Sequence, residues 1–165
     1  MGAGKSSVGR CLQRLTGLGR IDTDELISQK LQLSIAEIFA KHGEERFRDA
    51  ETELLRELSP DRPSVIVTGG GVVLRADNVV LLKQLGAIVW LDAPEEILFE
   101  RATRKNDRPL LQTEDPREAF AELLETRRPI YENAANIRIE TSNLKHEEVA
   151  EEIMRKIDNL IHSKK

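Results

Sequence analysis

The run Ser64-Val65-Ile66-Val67-Thr68 leads straight into Gly69-Gly70-Gly71, and few folds accommodate that join. A short β-branched stretch with no polar alternation marks a strand covered on both faces. Three glycines after it bring bare backbone close to whatever lies beyond the strand's end, where a plain tight turn needs only one. A second apolar run, 87–91, follows a helical stretch at 77–85 that Gly86 stops, and it leads to Asp92 and a helix started by Pro94. Buried strands separated by helices predict a parallel sheet with helices on both faces, a three-layer α/β fold.

The rest of the chain fits that alternation. Lys5–Thr16 places Val8, Cys11, Leu12 and Leu15 on one helical face, and Gly17 and Gly19 end it. A short extended piece then runs into Asp22-Thr23-Asp24. Helices are predicted at 25–32, at 35–42 with Ser34 and Glu37 placed for a capping box, and at 44–58 with Phe47, Ala50, Leu54 and Leu58 on one side. Ser59-Pro60-Asp61-Arg62-Pro63 breaks the pattern. Further on, 104–115 is a polar, arginine-bearing loop, 116–128 a helix, Ile137–Glu140 an edge strand and 147–161 a final helix. No repeat or linker divides the chain, so a single domain over 1–165 is expected.

Composition narrows the function. Acidic residues (29) outnumber basic ones (25), a net charge of −4, whereas nucleic-acid binders carry a basic surplus. The one cysteine, Cys11, excludes an intrachain disulfide and a four-cysteine metal site. The longest apolar runs are too short to span a bilayer, and Met1-Gly2-Ala3-Gly4-Lys5 has no secretory apolar segment. A cytoplasmic protein with neither nucleic acid nor membrane as partner is expected.

Four motifs carry chemistry. Gly2-Ala3-Gly4-Lys5-Ser6-Ser7 opens an amphipathic helix. Glycines there let backbone N–H groups turn inward around a phosphate, and the helix adds its positive N-terminus. Lys5 would reach the β- and γ-phosphates and the Ser6 hydroxyl would face Mg²⁺. A flexible Gly-Ala-Gly tail with an incidental Lys-Ser is the alternative. Asp22 and Asp24, at i and i+2 on extended backbone, would point the same way, one toward a hydrated metal and one toward substrate hydroxyls. Alternatively, Asp24 simply caps the helix that follows. The third motif is the triple glycine. The fourth is a set of arginines, Arg48, Arg101, Arg108 and Arg127, of which Arg108 sits in the polar loop where a moving phosphate clamp would be placed.

Taken together these residues resemble the shikimate kinase family. The resemblance runs through Gly2-Ala3-Gly4-Lys5-Ser6-Ser7-Val8-Gly9-Arg10, Asp22-Thr23-Asp24, Ile38-Phe39, Phe47-Arg48-x-x-Glu51, Gly69-Gly70-Gly71, Arg108-Pro109-Leu110-Leu111 and Arg127-x-Pro-x-Tyr131. It implies a P-loop kinase fold with strand order 2-3-1-4-5, an acceptor-binding segment at about 25–58 and a lid at about 104–115. It also implies transfer of the ATP γ-phosphoryl group to the 3-hydroxyl of shikimate, with Mg²⁺. By the same resemblance, ATP would lie on Gly2, Ala3, Gly4, Lys5, Ser6, Ser7, Arg101 and Arg108, with Arg101 stacking on adenine. Shikimate would lie on Asp24, Arg48, Gly69, Gly70, Gly71 and Arg127. Lys5, Asp24 and Arg108 would be catalytic, Ser6 and Asp22 would hold the metal, and Glu51 would fix Arg48. Phe39 and Phe47 would wall the acceptor pocket or serve as ordinary core.

One departure stands out. The family's first strand and first phosphate-loop glycine would fall before Met1, so only four strands can be counted. The strands flanking the sheet's centre would then lack backbone partners, a costly arrangement. A chain extended upstream is therefore expected. Two rivals remain: a gluconate-kinase-like enzyme of the same fold, which Arg48, Glu51 and Arg127 disfavour, and a catalytically silent remnant.

Overall fold

The computed structural model describes residues 2–104 and 113–163. The loop expected at 104–115, with Arg108, therefore falls largely outside the described residues. Helices α1 (Lys5–Thr16), α2 (Thr23–Leu31), α3 (Ile35–Glu57), α4 (Ala76–Leu85), α5 (Glu95–Thr103), α6 (Pro116–Ala134) and α7 (His146–His162) alternate with strands β1 (Gly19–Asp22), β2 (Ser64–Val67), β3 (Val89–Asp92) and β4 (Ile137–Glu140). A single 3-10 turn, Val72–Leu74, follows the glycines.

β1 pairs with β2 in parallel, Ile21 opposite Ile66, and β3 with β4, Leu91 opposite Ile139. Side-chain alternation along the strands builds the layers. Val89 and Leu91, with Ile137 and Ile139 of β4, pack on Val8 of α1 and on Val149 and Ile153 of α7. Trp90 points the other way, its ring 5.9 Å from that of Tyr131 on α6. α3, α4 and α6 share the opposite face through Leu55, Val79 and Ala134, which enclose Val72 and Val73.

The two strand pairs are separate sheets among the described residues. They correspond to the two halves of the expected order. Between β2 and β3 lies a cavity of about 540 Å³, lined mostly by aliphatic side chains that include Leu12, Leu18, Val65, Val89, Ile153 and Leu160. Consistent with that, Ser64, Val65 and Ile66 are only half-buried, although their composition reads as fully covered.

Several local expectations change. α3 is one element, yet Gly43 breaks it with φ 78° and ψ 170°, so the helices expected at 35–42 and 44–58 are its two arms. The capping box is present, with the Glu37 N–H donating to Ser34 Oγ at 3.2 Å and the Ser34 N–H to Glu37 Oε2 at 2.9 Å. α6 does not stop at Arg128 but passes through Pro129 to Ala134. Ile130 and Tyr131 pack on the Val72–Val73 cluster, and that burial offsets the lost backbone bond. Among the described residues no helix is long and apolar enough to cross a membrane.

Candidate active site

One end of the candidate site is built where α2, α3 and α6 meet the glycines after β2. The Phe-Arg-x-x-Glu spacing puts Arg48 and Glu51 on one helical face, and both are buried, at 6% and 1% exposure. Arg48 Nη1 donates to Glu51 Oε2 at 2.6 Å, and its Nε and Nη2 both donate to Glu44 Oε1, at 3.1 and 2.7 Å. A guanidinium so pinned is preorganised for a planar anion. Glu44 was not anticipated as a site residue, although its i, i+4 spacing from Arg48 was a visible signal.

The glycines matter because side chains press on them. A Cβ at Gly71 would run into the Arg48 guanidinium, and one at Gly69 would sit 3.0 Å from both Asp24 Oδ1 and Glu51 Oε1. Asp24, Arg48 and Glu51 thus converge on one stretch of bare backbone. Arg127, 5% exposed on α6, acts electrostatically on Glu51 and on Tyr131. In the sequence Tyr131 stands out only as the end of the Arg127-x-Pro-x-Tyr131 motif. Its hydroxyl donates to the Gly70 carbonyl at 2.6 Å and fixes the loop, and burial raises its pKa. Burial also raises the Glu51 carboxyl, with Arg48 pulling it down and Asp24 pushing it further up. Glu51 Oε1 and Thr23 Oγ1 are buried without a hydrogen-bond partner among the described residues, which leaves them to bind something polar.

The aspartate pair is corrected. α2 begins at Thr23, so Asp22 and Asp24 do not share an extended backbone. Asp22, not Asp24, is the cap: its Oδ1 accepts from the Asp24 and Glu25 N–H groups at 3.2 and 3.5 Å, and its Oδ2 pairs with Arg20 at 3.0 Å. Asp24 is left facing Gly69. Phe39 and Phe47 stack tilted, centroids 5.1 Å apart. Phe47 belongs to a core cluster with Ile27, Ile38 and Leu54 and also lies 5.3 Å beneath the Arg48 guanidinium.

At the other end, Gly2 and Gly4 adopt positive φ, 72° and 82°. A Cβ at Gly2 would run into the Leu98 carbonyl. Ala3 is buried against Ala93, Leu98 and Ala102, so this segment is packed and is no loose tail. Gly4 brings no capping side chain to α1, so the helix's first N–H groups suit an anion. Arg101 donates to Thr141 Oγ1, Thr141 O and Ser142 O at 3.0, 3.0 and 3.3 Å. Asp92 at the end of β3 is held by Arg138 and Arg128 at 2.6 and 3.4 Å, a cluster with no forewarning in sequence.

A family model described as shikimate kinase matches residues 1–158. The chain belongs to the shikimate kinase family. A shikimate kinase of Thermodesulfovibrio yellowstonii is 45% identical over 164 residues, covering 99% of this chain and 94% of the relative. A solved shikimate kinase from Acinetobacter baumannii, in complex with shikimate, superposes with a TM-score of 0.91 at 40% identity, over 96% of this chain and 89% of that one. The shikimate kinase from Aquifex aeolicus gives 0.83 at 36% identity, over 98% and 94%. A gluconokinase from Sinorhizobium meliloti, 18% identical with a TM-score of 0.59 over 99% of this chain and 92% of that one, shares the fold alone. The architecture described above is the P-loop kinase fold of the shikimate kinases.

Within this shikimate kinase fold, Gly71→Ala offers a clean test of the convergence. Arg48 cannot swing aside without breaking bonds to Glu44 and Glu51. The acceptor KM is expected to rise about 10- to 100-fold and Tm to fall, while kcat at saturation changes little. Steady-state kinetics beside a thermal melt would check this; an unchanged KM would mean that the Arg48 position is immaterial.

Proposed function

We propose that this chain transfers the γ-phosphoryl group of ATP to the 3-hydroxyl of shikimate, as a cytoplasmic monomer with neither nucleic acid nor membrane as partner. The convergence of Asp24 and Arg48 on the triple-glycine backbone supports this most directly, because a hydroxylated carboxylate needs both a cation and a hydroxyl acceptor within one small pocket.

Each residue type then has a physical task. Arg48 and Arg127 fork onto the acceptor carboxylate, with Glu51 and Glu44 holding Arg48. Asp24 accepts a hydrogen bond from the reacting hydroxyl and takes its proton as the oxygen attacks the γ-phosphorus. Gly69, Gly70 and Gly71 lie against the ring. The N–H groups of 2–7 cradle the phosphates, and Lys5, with Arg108 of the loop outside the described residues, offsets the charge that spreads over the transferring group. Arg101's hydrogen bonds to Thr141 and Ser142 leave the flat faces of its guanidinium available to stack on adenine. Residues 25–58 form the acceptor-binding segment and 104–115 the lid.

Among the described residues no cluster of three or more His, Cys, Asp or Glu side chains could hold a metal by itself. The donors proposed for it, the Ser6 hydroxyl and the Asp22 carboxylate, which also caps α2 and pairs with Arg20, are hard oxygens and few. That suits Mg²⁺, which takes most of its ligands from phosphate and water. Ser6 and Asp22 would hold it, and when bound it neutralises charge on the β- and γ-phosphate oxygens.

Acceptor-dependent ADP release tests the proposal. Turnover is expected with shikimate and not with gluconate. Equal rates with both would favour the gluconate-kinase-like alternative, and no turnover with either would favour a silent remnant.

A further inference from the structure

The three glycine carbonyls after β2 are held in two different ways. Gly69 O accepts from the Val72 N–H at 3.4 Å and Gly71 O from the Leu74 N–H at 3.0 Å, both within the turn's own backbone. The Gly70 carbonyl is held from outside the turn, by the Tyr131 hydroxyl at 2.6 Å. Glycine imposes few steric limits of its own, so the tilt of the Gly70–Gly71 peptide depends on that bond. In a planar trans peptide the carbonyl and the next N–H point opposite ways. Anchoring the Gly70 carbonyl on α6 therefore aims the Gly71 N–H away from α6.

The same hydroxyl meets a second group. Arg127 precedes Tyr131 by four residues on α6, a spacing that brings side chains together, and its guanidinium hydrogen-bonds to the phenol oxygen. That oxygen accepts from Arg127 and donates to Gly70, so it has a task in each direction. The ring that carries it is fixed in turn, 5.9 Å from Trp90 and packed on Val72, Val73 and Ala134.

We infer that Tyr131 is a positioning residue for the acceptor. Its hydroxyl holds the Arg127 guanidinium and the Gly70–Gly71 backbone at one fixed separation, so a ligand gripped by both takes a single orientation. This rests on the acceptor reading proposed above.

Tyr131→Phe removes one oxygen and keeps the ring. Relative to the parent chain, the shikimate KM is expected to rise about 5- to 30-fold, with the ATP KM within about twofold of its starting value. The emission of Trp90, the single tryptophan, should not change, because its neighbouring ring stays in place. A shikimate KM equal to that of the parent overturns the inference, and so does an equal weakening of shikimate and ATP, which marks a merely structural role. Should that variant fail to fold, Tyr131→3,5-difluorotyrosine keeps the hydroxyl but ionises at lower pH. A phenolate cannot donate to the Gly70 carbonyl, so its shikimate KM should climb, relative to the parent, as pH rises through that ionisation. The charged groups facing the phenol, Arg127 of α6 and Arg48 and Glu51 of α3, are common to both chains and cancel in the ratio. A ratio flat with pH overturns the inference. A parent chain that turns over no shikimate overturns the acceptor reading and this inference with it; an active parent beside an indifferent variant overturns this inference alone.

Discussion

Arg48→Ala is expected to weaken shikimate binding about 10- to 150-fold, matching the roughly 1.5–3 kcal/mol of a charge-assisted hydrogen-bond site. The same change should lower stability, because Arg48 is the direct hydrogen-bonding cation of buried Glu51, and Asp24 presses on Glu51 from the other side. Breaking a buried pair by removing one partner costs about 3–5 kcal/mol, or roughly 6–20 °C in Tm for a domain of this size. Arg48→Lys separates the two losses. It restores a positive charge and part of the stability, but a single ammonium cannot reproduce the planar fork onto Glu51, Glu44 and a ligand carboxylate together. Calorimetry with shikimate and a thermal melt on both variants would check this. An alanine variant that binds normally would remove Arg48 from the acceptor site.

Lys5→Met should separate the phosphate end from the acceptor end. A lysine in the first turn of a helix is disfavoured by the helix's own dipole. Its proposed use is electrostatic, in the transition state. Loss of one preorganised donor to developing charge typically costs about 10²–10³ in rate, and kcat is expected to fall by that factor. The shikimate Kd and the Tm should stay close to those of the parent chain. Rapid-quench kinetics with an equilibrium titration would show the split; a fall in shikimate affinity as large as the fall in kcat would mean that Lys5 shapes the acceptor pocket instead.

What the sequence made legible is mostly what neighbouring residues decide among themselves. α1 and β4 fall where periodicity and alternation place them. The Ser34–Glu37 capping box is local, and so is the break at Gly43. The four strands fall where the short extended and β-branched runs place them, and the described residues form two parallel pairs. The misses are tertiary. Pro129 reads as a stop, but the burial of Ile130 and Tyr131 carries α6 past it. Asp22 and Asp24 do not share an extended backbone because α2 starts at Thr23, two residues earlier than its charge pattern suggests, so Asp22 caps the helix and Asp24 faces Gly69. Nothing in the spacing of Asp92, Arg128 and Arg138 foretells their meeting, since chain contacts set more than thirty residues apart leave no periodic trace. Arg48, Glu51 and the glycines were recognisable as a motif, yet that the glycines exist to let a guanidinium and two carboxylates touch backbone is visible only in three dimensions.

The raised Glu51 carboxyl has a thermodynamic consequence for any anionic ligand that docks on Arg48. Burial, the largest cause, already disfavours its charged form, and Arg48 only partly opposes that. A ligand carboxylate drawing on the same guanidinium weakens this opposition and adds a second negative neighbour, so the Glu51 pKa climbs further on binding. The complex then holds more protons than its separated components at pH values between the free and bound pKa, above the ordinary 4.5 of a glutamate. Association takes up protons there, affinity strengthens as pH falls through that window, and the heat of binding varies with the ionisation enthalpy of the buffer that supplies them.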